Sequence, residues 1–546
     1  MKKNFILIFL IVLCIDALAQ SLPTGFPILE ESIRRAQLLG ELDSSVSFQV
    51  RPIYPRNIST LDDPYSVGTL LGQDQPESKL LYKFFKDRGR VQILPAQVHT
   101  EFNTHHPYPQ VNGPMVLNRG FQTYVSVGAY AEVGPLSIQF QPEYIWAQNR
   151  PYDYGGSKSV YTEYLERFGT KSFNTTLLGQ SSIRLNAGAF SVGVSNENIW
   201  WGPGQFNSLL FSNNAFGFQH ITLNTRKPAK TFLGSFEGQF IMGRLEGSEF
   251  PELTQHNLTQ DWRYINGINI SYQPKWIPGL FVGFNRIFQQ YNEDKTNSLG
   301  DWLPIFEVFT KESLFVDGHT VDYDGRAQDQ QVSIFLRYVI PKAKTELYFE
   351  YGKRDHSVNW REFIINPDHA RAYLMGFSKL FPIPNEAFIQ VRGEVLHQQE
   401  SINILGRYPG TGGDSNWGGH YQVRQGFTHR GQMLGPGVGP SSNVQTIETA
   451  WVKGTKKLGI RLDRLNRHQD IYVKQFNDRT SQGRWVDLNL GLLADWQFDR
   501  LLISSQLFFI NSLNYQWQLH PNSTPELPKG HDVFNFQGQV RATYLF

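Results

Sequence analysis

Apolar and polar residues alternate with a period of two along much of this chain. Over 121–133 the odd positions are Phe121, Thr123, Val125, Val127, Ala129, Ala131 and Val133, and the even positions are Gln122, Tyr124, Ser126, Gly128, Tyr130 and Glu132. Successive side chains of a strand point to opposite faces, so the segment predicts a strand with one apolar and one mostly polar face. Gly134-Pro135 is turn chemistry. After it Leu136, Ile138, Phe140, Tyr144 and Trp146 face one way, and Ser137, Gln139, Gln141 and Glu143 the other. The two runs read as a hairpin with one greasy side. The pattern recurs over 332–340, 345–351, 387–396 and 497–511. It also closes the chain, where Phe536, Gly538, Val540, Ala542, Tyr544 and Phe546 oppose Gln537, Gln539, Arg541 and Thr543.

A soluble sandwich would alternate too. Three features favour a membrane barrel instead. The inward faces carry Gln, Arg and Glu, which suits a polar lumen inside a lipid-facing wall. Tyr144, Trp146, Tyr351 and Tyr544 sit near strand ends, where an interfacial girdle belongs. The terminal Tyr544-Leu545-Phe546 is similar to the C-terminal signal read by the barrel-insertion machinery. In hydrocarbon every backbone donor and acceptor must be paired, and a closed sheet achieves this because it has no edge. The length suits about 14 to 18 strands, with irregular stretches at 57–88, 149–180, 292–330 and 397–444 expected as lumenal or extracellular loops. Before the strands, Ile28, Leu29, Ile33, Leu38 and Leu39 are interleaved with Arg34, Arg35 and Gln37, which predicts one short amphipathic helix on the periplasmic side. The expected division is a signal peptide over 1–19, a helical segment over 20–43 and a barrel over 44–546.

Composition supports this picture at three points. Lys2 and Lys3 precede an apolar run from Phe5 to Cys14 and a small-x-small site at Ala17-Leu18-Ala19, so cleavage before Gln20 is expected. Cys14 is the only cysteine, which leaves a mature chain without disulfides or thiolate metal sites. Beyond residue 20 no long apolar stretch occurs and mean hydropathy is −0.37, against a bundle of membrane helices. A net charge of +2 without a dense Lys/Arg cluster argues against nucleic acid as a partner.

Residues 197–220 carry a denser signal: Trp200-Trp201-Gly202-Pro203-Gly204, then Ser208-Leu209, then Ser212-Asn213-Asn214-Ala215. This resembles the signature of the Wzi family of capsule-assembly outer-membrane proteins. The run from His429-Arg430-Gly431-Gln432 to Leu434-Gly435-Pro436-Gly437-Val438-Gly439-Pro440, and the early Gln37-Leu38-Leu39-Gly40 leading to Arg51-Pro52, resemble the branch of that family with a short N-terminal helix. The resemblance implies an all-β outer-membrane barrel of about 18 antiparallel strands and a lectin-like role in holding exported polysaccharide. The chain departs from the family's better-known members in having room for about one helix where they carry a longer periplasmic bundle.

Taken by themselves, adjacent tryptophans before Gly-Pro-Gly break a strand and present flat rings on a constrained loop. Sugar faces are apolar surfaces edged by hydroxyls, so aromatic platforms flanked by amides suit them. Trp200, Trp201, Ser212, Asn213 and Asn214 therefore read either as polysaccharide contacts or as a lumenal plug with a capped turn. A second candidate is the glycine-rich loop holding Trp417, His420, Tyr421, Arg424, His429 and Arg430, whose arginines suit an acidic polymer. No cofactor, metal or enzyme activity is expected. Gly413-Asp414-Ser415 lacks the context of an esterase block, and His99, His105 and His106 have no carboxylate at helical spacing in a region that reads as strand-to-loop, so they are expected to be structural or surface histidines. The expected partners are surface polysaccharide, outer-membrane lipid and the insertion machinery, with a monomer as default. The rival function is a porin or substrate channel, which Arg337, Arg392 and Glu394 on polar strand faces keep open.

Overall fold

The computed structural model describes residues 20–546 except 60, 62, 74–80, 86–88, 154–163, 254–260, 297, 308–326, 355–359, 402, 404–416 and 476–482. The expected signal peptide over 1–19 and Gly413-Asp414-Ser415 lie outside the described residues.

The wall is built from Gly89–Asn103 (β1), Gly120–Val133 (β2), Leu136–Phe140 with Glu143–Ala147 (β3), Phe173–Leu177 with Ser182–Ala187 (β4), Phe190–Ser195 (β5) and His220–Thr225 with Ala229–Lys230 (β6). It continues through Gly234–Leu245 (β7), Arg263–Pro274 (β8), Leu280–Tyr291 (β9), Asp329–Ile340 (β10), Thr345–Arg354 (β11) and Arg371–Ile383 (β12). Ala387–His397 (β13), Asn443–Lys453 (β14), Lys456–Asn466 (β15), Val486–Phe498 (β16), Leu501–Leu513 (β17) and Val533–Tyr544 (β18) complete it. Each strand pairs antiparallel with the next, and β18 returns to β1 in a register running from Gln537 opposite Asn103 to Tyr544 opposite Ala96. The result is a closed 18-strand antiparallel barrel.

The alternation read from the sequence is the alternation of the wall. Phe121, Val125, Val127, Leu136, Ile138, Phe140, Tyr144 and Trp146 are exposed on the outside, while Gln122, Ser126, Ser137, Gln139 and Glu143 are buried inside. Short turns such as Gly134-Pro135, Gly188-Ala189 and Asp499-Arg500 all fall at one end of the barrel. The long connections, among them 104–119, 196–219 and 398–442, all fall at the other.

The lumen holds the rest of the chain. The expected helix is Pro27–Leu39 (α1): a proline at its start presets φ, and Gly40 ends it in the left-handed region at φ 85°, its N–H reaching Ala36 and Gln37 carbonyls. It lies inside the short-turn mouth. Leu38 packs with Phe281, Val339, Leu380, Ala450 and Val452 of the wall. Glu31 meets Arg392 and Lys457, each at 3.0 Å, and Arg34 meets Glu346 at 2.8 Å. Buried charges this close offset their own desolvation only when matched and hydrogen-bonded, as these are.

The expectation of a polar lumen needs correction. Toward the long-loop end the inward face carries Ile241, Ile265, Ile287, Leu374, Leu396 and Phe508, and these form one apolar core with Trp201, Leu209, Phe211, Trp417 and Phe427 from the inserted segments. The inward positions are polar where they meet charged plug residues and apolar where they meet this core, because the inside of a filled barrel is protein rather than water.

Candidate functional site

After β5 the chain turns into the lumen instead of over the rim. Trp200–Trp201 pairs antiparallel with Val50–Arg51, so the signature segment is stitched to the N-terminal segment by backbone ladder bonds. Trp201 is fully buried, donates from Nε1 to Gln239 at 2.8 Å, and meets the Phe211 ring edge-on with centroids 4.9 Å apart. The Trp200 face is covered by the Arg51 guanidinium, 4.4 Å from the ring centroid. A partly desolvated cation on an indole face is a favourable contact.

The Gly-Pro-Gly turn has a different anchor. Arg34 donates to the Pro203 carbonyl at 2.8 Å and Arg51 to that of Gly204 at 2.9 Å. The three consecutive N–H groups of Gln205, Phe206 and Asn207 all donate to the Glu394 carboxylate, at 2.7, 3.1 and 2.7 Å. Successive backbone donors converging on one carboxylate make an anion nest. Gly202 lies at φ 117°, and a Cβ there would stand 2.6 Å from Glu350 Oε2. Ser208 donates back to the Trp201 carbonyl, Ser212 to that of Gly435, and Asn214 to that of Met433 at 2.9 Å. Asn213 lies against Gly25 and accepts through its carbonyl from Gly113 at 2.7 Å.

The glycine-rich loop interlocks with this segment. Trp417 is fully buried and donates from Nε1 to the Leu209 carbonyl at 2.8 Å. His420 is buried and accepts from the Gln422 and Val423 amides. His429 is buried too; desolvation, helped by the nearby Arg263 charge, pushes it down to about 3, so the ring is neutral and accepts from the Glu246 amide at 3.1 Å. Arg430 pairs with Glu249 and lies 5.3 Å from the Phe216 centroid. Tyr421 and Arg424 are exposed. The candidate residues thus divide: Trp200, Trp201, Ser208, Ser212, Asn213, Asn214, Trp417, His420 and His429 come together inside the barrel, and Tyr421 and Arg424 stay at its surface. His105 and His106 touch at 3.2 Å under the long-loop end, and His106 reaches Ser512 at 3.1 Å.

Sequence reasoning missed Glu394 as the anchor of the turn and Arg51 as the cover of Trp200. An acidic residue on the inward face of a strand was visible, but its partner was not. Between α1, the 109–112 segment and the wall, the plug leaves a cavity of about 170 Å³ bordered by Trp200, Phe206, Arg392 and Arg541.

Residues 95–501 match the family model described as capsule assembly protein Wzi. The chain belongs to the Wzi family. No curated protein matches it. Among solved structures it is similar to Escherichia coli Wzi, an outer-membrane carbohydrate-binding β-barrel involved in group 1 capsule assembly, with 11% identity, a TM-score of 0.59, and coverage of 97% of this chain and 100% of that one. Pseudomonas aeruginosa OpdQ (8% identity, TM-score 0.38, 85% and 98% covered) and the Acinetobacter baumannii outer-membrane channel DcaP (7%, 0.31, 85% and 99%) are more distant. At those scores neither bears on the fold. The signature that marks the Wzi family is, in this chain, the segment that fastens the inserted loops to the N-terminal segment.

Proposed function

We propose that this Wzi-family protein binds exported surface polysaccharide and holds it at the outer membrane during capsule assembly, without chemical change to the polymer. The observation that carries the reading is the filled lumen. A porin needs a wet passage lined by fixed charge, yet the wall charges that suggested one are engaged by the plug: Arg337 donates to the Ser47 carbonyl at 2.9 Å and to Gln37 at 2.8 Å, Arg392 pairs with Glu31 at 3.0 Å, and Glu394 accepts from the 205–207 amides. The aromatic and cationic side chains left at the surface of the long-loop end, Tyr421 and Arg424, suit an acidic polymer. In this reading the long connections are extracellular and the short turns periplasmic, the usual arrangement of such barrels. The leader over 1–19 is removed on export, lipid covers the apolar outer face, and the protein works as a monomer.

Planar-bilayer recording of the purified chain, paired with retention of surface polymer from the same cells on immobilised protein, tests this. Electrical silence with polymer retained is the expected result. A steady large conductance without retention would move the function to a channel.

A further inference from the structure

The cavity beside Trp200 is unusual in its hydrogen-bond chemistry. Its floor is α1, its roof is the 109–112 segment with Val438, and its outer side is the inward face of the barrel. Most charges around it are matched. Glu30 holds Arg51 at 3.2 Å, Glu31 holds Arg392 and Lys457, Glu346 holds Arg34, and Asp463 holds Arg461 at 2.9 Å. Arg541 is the exception: among the described residues no carboxylate pairs with it, and its guanidinium donates to the Gly25 carbonyl and lies 3.3 Å from His99 Nδ1.

The unmatched hydrogen-bonding atoms share one sign. Trp200 Nε1, Gln539 Nε2 and Arg392 Nε are buried donors with no acceptor among the described residues, and none of the described residues lining the cavity has an unmatched buried acceptor. A buried donor without an acceptor is costly, so these three, beside a guanidinium that no described carboxylate pairs with, favour a guest rich in acceptors. The Tyr108 and Phe206 rings add apolar surface. At about 10–15 Å³ per water centre, the cavity has room for roughly a dozen waters, the space of one or two sugar rings.

We propose that this chamber binds an acidic saccharide unit, its oxyanion on Arg541 and its hydroxyl and ring oxygens on the donors of Trp200 and Gln539. The inference deepens the polysaccharide reading, on which it rests for the source of such a unit. The oxyanion can be a sugar carboxylate or a sugar phosphate, and the test separates them.

Calorimetric titration of the full chain in detergent would use glucuronate, glucose 6-phosphate, glucose and inorganic phosphate as probes. One of the two sugar acids should bind at least about tenfold more tightly than glucose, the scale of a charge-assisted contact. Glucuronate binding the tighter assigns the carboxylate; glucose 6-phosphate binding the tighter assigns the phosphate. Arg541→Gln should weaken the preferred sugar acid about tenfold. Trp200→Phe, which keeps a ring and removes only the N–H, should weaken it about fivefold and serves if Arg541→Gln does not fold. Inorganic phosphate binding as tightly as the sugar acids would overturn the saccharide assignment. Absence of heat from every acidic probe at millimolar concentration, with polymer still retained, would overturn the chamber alone. Binding of a sugar acid without polymer retention would sustain the chamber and sink the polysaccharide reading.

Discussion

Gly204 is the signature position with the least latitude. A Cβ there would overlap the Asn207 carbonyl oxygen and press on Leu374 at 3.1 Å. The overlapped atom is backbone and belongs to the same turn, so no side chain can yield. Relief must open the turn that presents the 205–207 amides to Glu394. Gly204→Ala is therefore expected to destabilise the protein by about 1–3 kcal/mol, the range for overpacking. It would be read as a lower denaturant midpoint for loss of heat-modifiable gel mobility. An unchanged midpoint would mean that the turn has slack these contacts do not reveal. Trp201 and Trp417 tell the same story from the donor side. Each buries an indole and donates its one N–H to a distant partner, which a ligand platform facing solvent would not require.

At the scale of elements, the inserted segments are held by charge as well as by apolar packing. At the long-loop end Glu166 is bound by Arg467 at 2.6 Å and by His468 at 2.9 Å, while Arg467 also reaches Asp487 at 3.2 Å. Burial pushes the Glu166 carboxyl up, but Arg467 and His468 more than offset it and hold it at about 2. A carboxylate depressed from its usual 4.5 stabilises the folded state fully above that value and loses the contribution as pH falls toward 2. The latch between the 164–168 segment and the end of β15 is thus expected to hold at pH 5 and to weaken between about pH 4.5 and 2, by an amount on the order of 3 kcal/mol. Hydrogen exchange of 164–168 across that window checks it. Glu166→Gln should show high exchange already at neutral pH and no acid-dependent rise, whereas a matching rise in the variant would assign the effect to another group.

The whole molecule is a wall with two solvents. Its outside answers to lipid, with Ile460, Ile183 and Val194 more than half exposed; its inside answers to the plug. Ile460 lies near the middle of β15 with Arg461 as its inward neighbour, so moving an arginine by one position transfers a charge from a matched interior to hydrocarbon. Ile460→Arg is expected to cost about 2–4 kcal/mol, the range for a charge at mid-membrane, measured as the urea midpoint for folding into lipid vesicles. A loss below about 1 kcal/mol would place this position near an interface instead. Closure itself makes the long-range order possible: with β18 paired to β1 no strand edge is left to lipid, and the interior becomes a fixed volume that the chain's own loops occupy.

The sequence by itself determined the strands, their two faces, the hairpin turns and the presence of one helix near the N-terminus. These are local properties: a period of two needs only adjacent residues and a lipid outside to select the apolar ones, and a proline start with a glycine stop delimits a helix within one stretch of chain. The signature also placed the chain in its family, since residue identity needs no geometry. Only the tertiary structure decided that Trp200 and Trp201 are stitched to Val50–Arg51, that Trp417 answers Leu209 across 208 positions, and that inward Ile241, Ile265 and Ile287 meet apolar side chains where a polar lumen was expected. Alternation marks a face as inward without stating what it will meet there. For this barrel the partners come from loops that are irregular in sequence and distant along the chain, so their contacts exist only once the wall has closed around them.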